Sequence, residues 1–124
     1  MAGMRRLVLF VVVLACVGVA CASTEKPTAS RPFCTAADNY NNELTRAQKQ
    51  GKADIDRQLP LVEKLAATAP AKIRADANTF AKAMRRVAHG DSSVVDDPNV
   101  KTATENVNRF ANQACNVYQR DSGI

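Results

Sequence analysis

One histidine, two tyrosines, four phenylalanines and five glycines in 124 residues set limits before any motif is sought. A lone His89, without an orienting partner or a nucleophile in a recognisable motif, supplies no catalytic base. One histidine and a pair of cysteines cannot fill a zinc site either, least of all when the cysteines are oxidised. Glycine is too scattered for a phosphate-cradling loop, and there is no serine elbow or hydrolase-type pair of glutamates. The acidic clusters Asp54-x-Asp56 and Asp96-Asp97 lack the converging oxygens and glycine turn of a hard-cation loop. Asp54 and Asp97 each precede a helical pattern, as an N-cap would. The few aromatic residues do not interleave with basic ones as a single-stranded nucleic-acid surface requires. Strand-like alternation, sustained heptads and internal repeats are absent too. The reading is of a chain that is not an enzyme, takes no cofactor and binds no nucleic acid.

What the sequence does have is an address. Arg5 and Arg6 precede Leu7 to Ala20, a stretch with no charge, no proline and one glycine. That is the charged start and apolar middle of a secretory signal peptide, predicted over residues 1–20. The polar run Ser23-Thr24-Glu25-Lys26 begins too early for a comfortable membrane span, which needs roughly 20 apolar residues. Gly18-Val19-Ala20-Cys21 is similar to a bacterial lipobox, which implies a diacylglyceryl group on Cys21, although Gly18 stands where leucine is usual. The rival Val13-Leu14-Ala15-Cys16 leaves too short an apolar stretch after Arg6, so Cys16 reads as apolar filler. Ala20-Cys21-Ala22 also fits ordinary signal cleavage, which would release a soluble chain starting at Ser23. Loss of residues 1–20 lowers the formal net charge from +5 to +3 and leaves 104 residues, enough for one domain. Such a charge suits an anionic membrane surface or a cell-wall polymer.

With Cys16 removed and Cys21 acylated, Cys34 and Cys115 remain, and in an exported chain the expectation is one disulfide between them. Ala22 to Pro32 is rich in Ser, Thr, Pro and Ala, has no hydrophobic period and reads as a disordered tether, with Thr24, Thr28 and Ser30 as candidate O-glycosylation positions. From Cys34 the period turns helical. Ala37, Tyr40, Leu44 and Ala47 predict a first helix from about Thr35 to Gln50, closed by Gly51. Ile55, Leu59, Val62, Leu65, Ala66 and Ala69 predict a second after Asp54, either kinked at Pro60 or regular only from Pro60 onward. Pro70 opens a third, with Ile73, Ala77, Phe80, Met84 and Val87 on one stripe and Gly90 at its end. After a loop from Asp91 to Asp97, Pro98 opens a fourth, with Val100, Ala103, Val107, Phe110, Ala114 and Val117, fraying before Gly123.

The predicted fold is therefore all-α, a small four-helix up-down-up-down bundle. That topology places Cys34 and Cys115 at the same end, where they can bond. The expected division is a signal peptide at 1–20, a lipidated N-terminus and tether at 21–33, a helical domain at 34–120 and a tail at 121–124.

Several of these features together resemble a loose group of small exported lipoproteins of mycobacteria and related actinobacteria. They are the cysteine at the signal-peptide end, the Thr/Ser/Pro tether, and Phe33-Cys34 before the first helix. To these add Ala69-Pro70-Ala71-Lys72-Ile73-Arg74-Ala75-Asp76 and Val107-Asn108-Arg109-Phe110 ahead of Cys115. Such proteins often carry glycine after the last cysteine, where this chain has Asn116. The resemblance covers nearly the whole processed chain and implies no activity.

Two candidate surfaces follow. Lys72, Lys82 and Arg86, with His89, fall on one face of the third helix, opposite its apolar stripe, and are the candidates for contact with anionic lipid or an envelope polyanion. Tyr40, Phe80, Met84, Phe110 and Tyr118 would line an apolar pocket if the chain carried a small ligand. The expected role is a lipid-anchored, non-enzymatic domain on the outer face of the cell membrane, binding an envelope protein or cell-surface component. A secreted domain or an apolar-ligand carrier is the alternative.

Overall fold

Ser30 ends the extended segment ahead of the first helix: its hydroxyl accepts from the Phe33 backbone N–H at 3.3 Å, and Pro32 occupies the first turn, where its missing N–H costs nothing. The computed structural model, which describes residues 27–117, thus begins α1 at Arg31 (Arg31–Gln50), four residues before the Thr35 start that the apolar period predicts. The tether accordingly stops short of residues 31–33. Phe33 is completely buried and meets Phe110 edge-on, with ring centroids 5.7 Å apart. The composition of Ser30-Arg31-Pro32 is that of a linker, and the burial of Phe33 overrides it. At the other end Gly51 takes φ 64°, and the Gly51 and Lys52 N–H groups donate to the Gln48 and Ala47 carbonyls. A left-handed glycine is what such a cap requires.

Helix α2 (Ile55–Thr68) starts at Asp54, whose carboxylate accepts from the Arg57 N–H at 3.2 Å. It runs through Pro60, which lies on the exposed side, so the helix starts well before the proline. Helix α3 (Ala71–Ala88) follows after Ala69 and Pro70 and ends at His89 and Gly90, the latter at φ 95°. Where the sequence reads as a loop, Ser92–Asp96 forms a short 3-10 helix. Asp97 then caps α4 (Pro98–Cys115) by accepting from Asn99 N–H at 2.8 Å. Helix α4 ends at Cys115 with Asn116 as its cap at φ 55°; the expected fraying before Gly123 lies outside the described residues.

The result is an all-α four-helix bundle. Helices adjacent in sequence pack on one another, and α1 also meets α4. The predicted stripes face inward: Val62 and Leu65 of α2, Ile73, Ala77 and Phe80 of α3, and Val107 and Phe110 of α4 share one core with Phe33. A disulfide joins Cys34 in the first turn of α1 to Cys115 in the last turn of α4, with Cα atoms 5.4 Å apart. Among the described residues no helix is long and apolar enough to cross a membrane. The signal segment, Cys21, Tyr118 and the tail at 121–124 lie outside the described residues.

Candidate functional site

The connection between α3 and α4 is shaped by Asp91. One carboxylate oxygen accepts from the Ser93 N–H at 3.2 Å and from its hydroxyl at 2.5 Å. The other accepts from Arg86 Nε at 3.0 Å and Nη2 at 2.5 Å. Hydrogen bonding from Ser93 first, then from Arg86, holds the Asp91 carboxyl below its ordinary pKa. These contacts pin the 3-10 turn so that Val94 enters the interior, at 4% exposed, while Val95 stands out at 49%. Val95 is the one large hydrophobic side chain so exposed among the described residues.

Val95 forms one edge of an open groove of about 340 Å³ between α3 and α4. Phe80, Ala83, Met84 and Val87 of α3 supply one wall and Val100 of α4 the other, with Lys101, Thr104 and Glu105 adding polar groups. The size is that of a small-ligand or side-chain pocket, and its apolar walls with a few polar groups are usual for binding sites. At 1.5 Å rise per residue, Lys101 lies about 20 Å along α4 from Cys115, so the groove is far from the disulfide end.

The aromatic residues expected to converge on a pocket do so only in part. Tyr40 packs edge-on against Phe80 at 5.7 Å, and Phe110 is taken up by Phe33. The void beside Tyr40 is about 20 Å³, room for roughly one water. No ligand fits there. Phe80 and Met84 instead reach the surface groove, which Tyr40 and Phe110 do not line. Tyr118 falls outside the described residues.

The basic face of α3 carries both paired and unpaired cations. Lys72, Lys82 and Arg86 are all exposed, but Arg86 is held by Asp91 and is not a free cation. Its neighbour Arg85 bridges to Glu63 of α2 at 2.7 Å, and Arg74 donates to the Ala69 carbonyl. Lys72 and Lys82 keep no acidic partner among the described residues. His89 has Nδ1 2.6 Å from the Arg85 carbonyl and serves the end of α3.

One charged cluster is not anticipated by the sequence. Glu43 of α1, only 6% exposed, accepts from Arg46 one turn on and from Arg57 of α2 at 3.4 Å. The Arg46 hydrogen bond, opposed by burial and assisted by the Arg57 charge, keeps its carboxyl below the ordinary range. The i, i+3 spacing of Glu43 and Arg46 is legible in the sequence. Arg57 is not, because only the packing of α2 on α1 brings it there. The cluster ties two helices together and contains no nucleophile or metal-binding set. Among the described residues no group of three or more His, Cys, Asp or Glu side chains is placed to hold a metal ion.

Compared with protein-family models, curated proteins and solved structures, the chain matches none.

Proposed function

We propose that this protein is an exported, lipid-anchored, non-enzymatic binding domain, whose groove beside Val95 receives an apolar contact from an envelope protein or cell-surface component. The groove is the observation that carries this reading. A valine left half exposed above the nearly buried Phe80 and Met84 opens a small apolar cleft rimmed by polar groups, the form of a pocket that receives a side chain or small ligand. The Cys34–Cys115 disulfide supports an oxidising compartment outside the cytoplasm, and Cys21 in its lipobox-like setting supplies the anchor. Helices in up-down-up-down order, with tether and disulfide at one end, would carry the groove outward from the membrane.

The reading is tested in intact producing cells, with a photoreactive side chain at Val95 and, as control, at Lys82. A defined adduct from Val95 alone, lost on Val100→Asp, is expected. Equal adducts from both positions would contradict it. The groove volume also admits a small apolar ligand, with the bundle acting as its carrier. Native mass spectrometry of the protein taken from its own envelope separates the two, since a carrier retains a molecule of definite mass.

A further inference from the structure

A second hollow, of about 370 Å³, lies at the opposite end of α1 from Gly51. Its walls come from the first turns of α1, with Arg31, Thr35 and Asn39, and from Lys64 of α2. Arg31 and Lys64 are both exposed, and neither has an acidic partner among the described residues. They differ in this from the other cations of the same two helices that hold partners, since Arg46 and Arg57 are bound by Glu43. Arg31 and Lys64 thus border one mainly apolar concavity, lined also by Pro32, Ala36, Thr35 and Asn39. The two exposed cations bordering it can hold a single anionic group with several acceptor oxygens, such as a phosphodiester.

Its position supplies the occupant. Arg31 is the first residue of α1, directly after the segment leading back to Cys21. The residues 22–30 between them reach at most about 30 Å when fully extended. If Cys21 sits in the bilayer, the tether joins the bundle beside this hollow and keeps it within about 30 Å of the headgroups. Lys72 and Lys82, the sequence's candidates for anionic contact, do not line it.

We propose that Arg31 and Lys64 seat the phosphodiester headgroup of an anionic phospholipid, so that the bundle rests on the membrane by the end from which its tether leaves. This rests on the anchored reading of Cys21. Contact of this kind is worth about fivefold in binding for each basic residue at the surface and disappears as salt shortens the screening length.

The test uses the protein as isolated from its own membranes, reconstituted on vesicles of phosphatidylcholine alone or mixed with phosphatidylglycerol. Lysines are labelled with an amine-reactive reagent and read by peptide mass spectrometry. Lys49 and Lys52, near the far end of α1 and some 25 Å or more from Arg31, are the internal reference. Labelling of Lys64 is expected to fall about fivefold on the anionic vesicles, with Lys49 and Lys52 unchanged. Protection should be lost in about 1 M salt and reduced by Arg31→Gln, an exposed substitution that leaves the fold intact by circular dichroism. Equal labelling of Lys64 on both vesicle types overturns the proposal, as does equal protection of Lys49 and Lys52. Protection by soluble polyphosphate and not by vesicles overturns the lipid assignment. Intact mass on the same sample reads the anchor separately: an acylated chain with an unprotected Lys64 refutes this contact alone.

Discussion

Cys34 and Cys115, 81 residues apart in sequence, hold the first turn of α1 against the last turn of α4 with Cα atoms 5.4 Å apart. The bond closes almost the whole described chain into one loop, so its main effect is on the unfolded state. Replacing both cysteines by alanine is expected to cost about 2–5 kcal/mol, read as a lower urea midpoint. Reduction of the native protein should reproduce the shift. A midpoint unchanged by both treatments would mean that the bond does not form.

Phe33 tests where α1 begins. If the helix started at Thr35, Phe33 would belong to the tether and its truncation would be nearly silent. Buried against Phe110, it is expected to cost about 3–5 kcal/mol on Phe33→Ala, measured by denaturant unfolding. Ser30→Ala, which removes the cap, should cost about 1 kcal/mol.

Glu43 gives the fold a pH dependence of defined sign. Because its carboxyl is lowered in the folded state, the stability it contributes is fully present above the unfolded carboxylate pKa of about 4.3. That contribution is lost as pH falls through the lower folded value. The stability gap between the native protein and Glu43→Gln is therefore expected to be widest near neutrality and to close in acid. Asp91, lowered by its hydrogen bonds from Ser93 and then Arg86, acts in the same direction. Urea midpoints across an acid series for Glu43→Gln and Asp91→Asn separate the two; a gap that widened in acid would contradict the assignment.

Asn116 holds a backbone conformation with φ 55° at the end of α4. That left-handed backbone favours glycine or asparagine over other residues. Asn116→Gly should be close to neutral, while Asn116→Val should destabilise by about 1–2 kcal/mol in thermal or urea unfolding.

The groove predicts a separation of binding from stability. Val95→Asp, at an exposed position on the 3-10 turn, should change unfolding free energy by no more than about 0.5 kcal/mol and yet abolish the adduct formed by a photoreactive group at Val100. Loss of the adduct accompanied by unfolding would remove the distinction.

These residues also mark what the sequence makes legible. Helical periodicity identifies Ile73, Ala77, Phe80 and Met84 on α3 and Val107 and Phe110 on α4 as inward-facing, and all are buried. The caps Asp54 and Asp97 follow from local hydrogen-bonding chemistry and accept the bonds expected of them. Val87 and Val100 fit the same apolar stripes but are only half buried, because they line the groove. Period alone cannot distinguish a valine facing a packed core from one facing a cleft. Val95 lies in a segment without period, and its exposure depends on Asp91 fixing the 3-10 turn. Glu43 was hidden for a related reason: a glutamate beside Leu44 reads as solvent-facing until Arg57 is brought to it from another helix. Arg86 illustrates the converse, a cation legible as free that the fold pairs with Asp91.

Acylation of Cys21, as proposed, would fix which end of the bundle faces the membrane. Intact-mass measurement of the protein extracted from the membranes of its own cells tests it directly. The predicted result is a chain beginning at Cys21 and heavier than its sequence by a diacylglyceryl group or a further acyl chain. An unmodified chain beginning at Ser23 would contradict it.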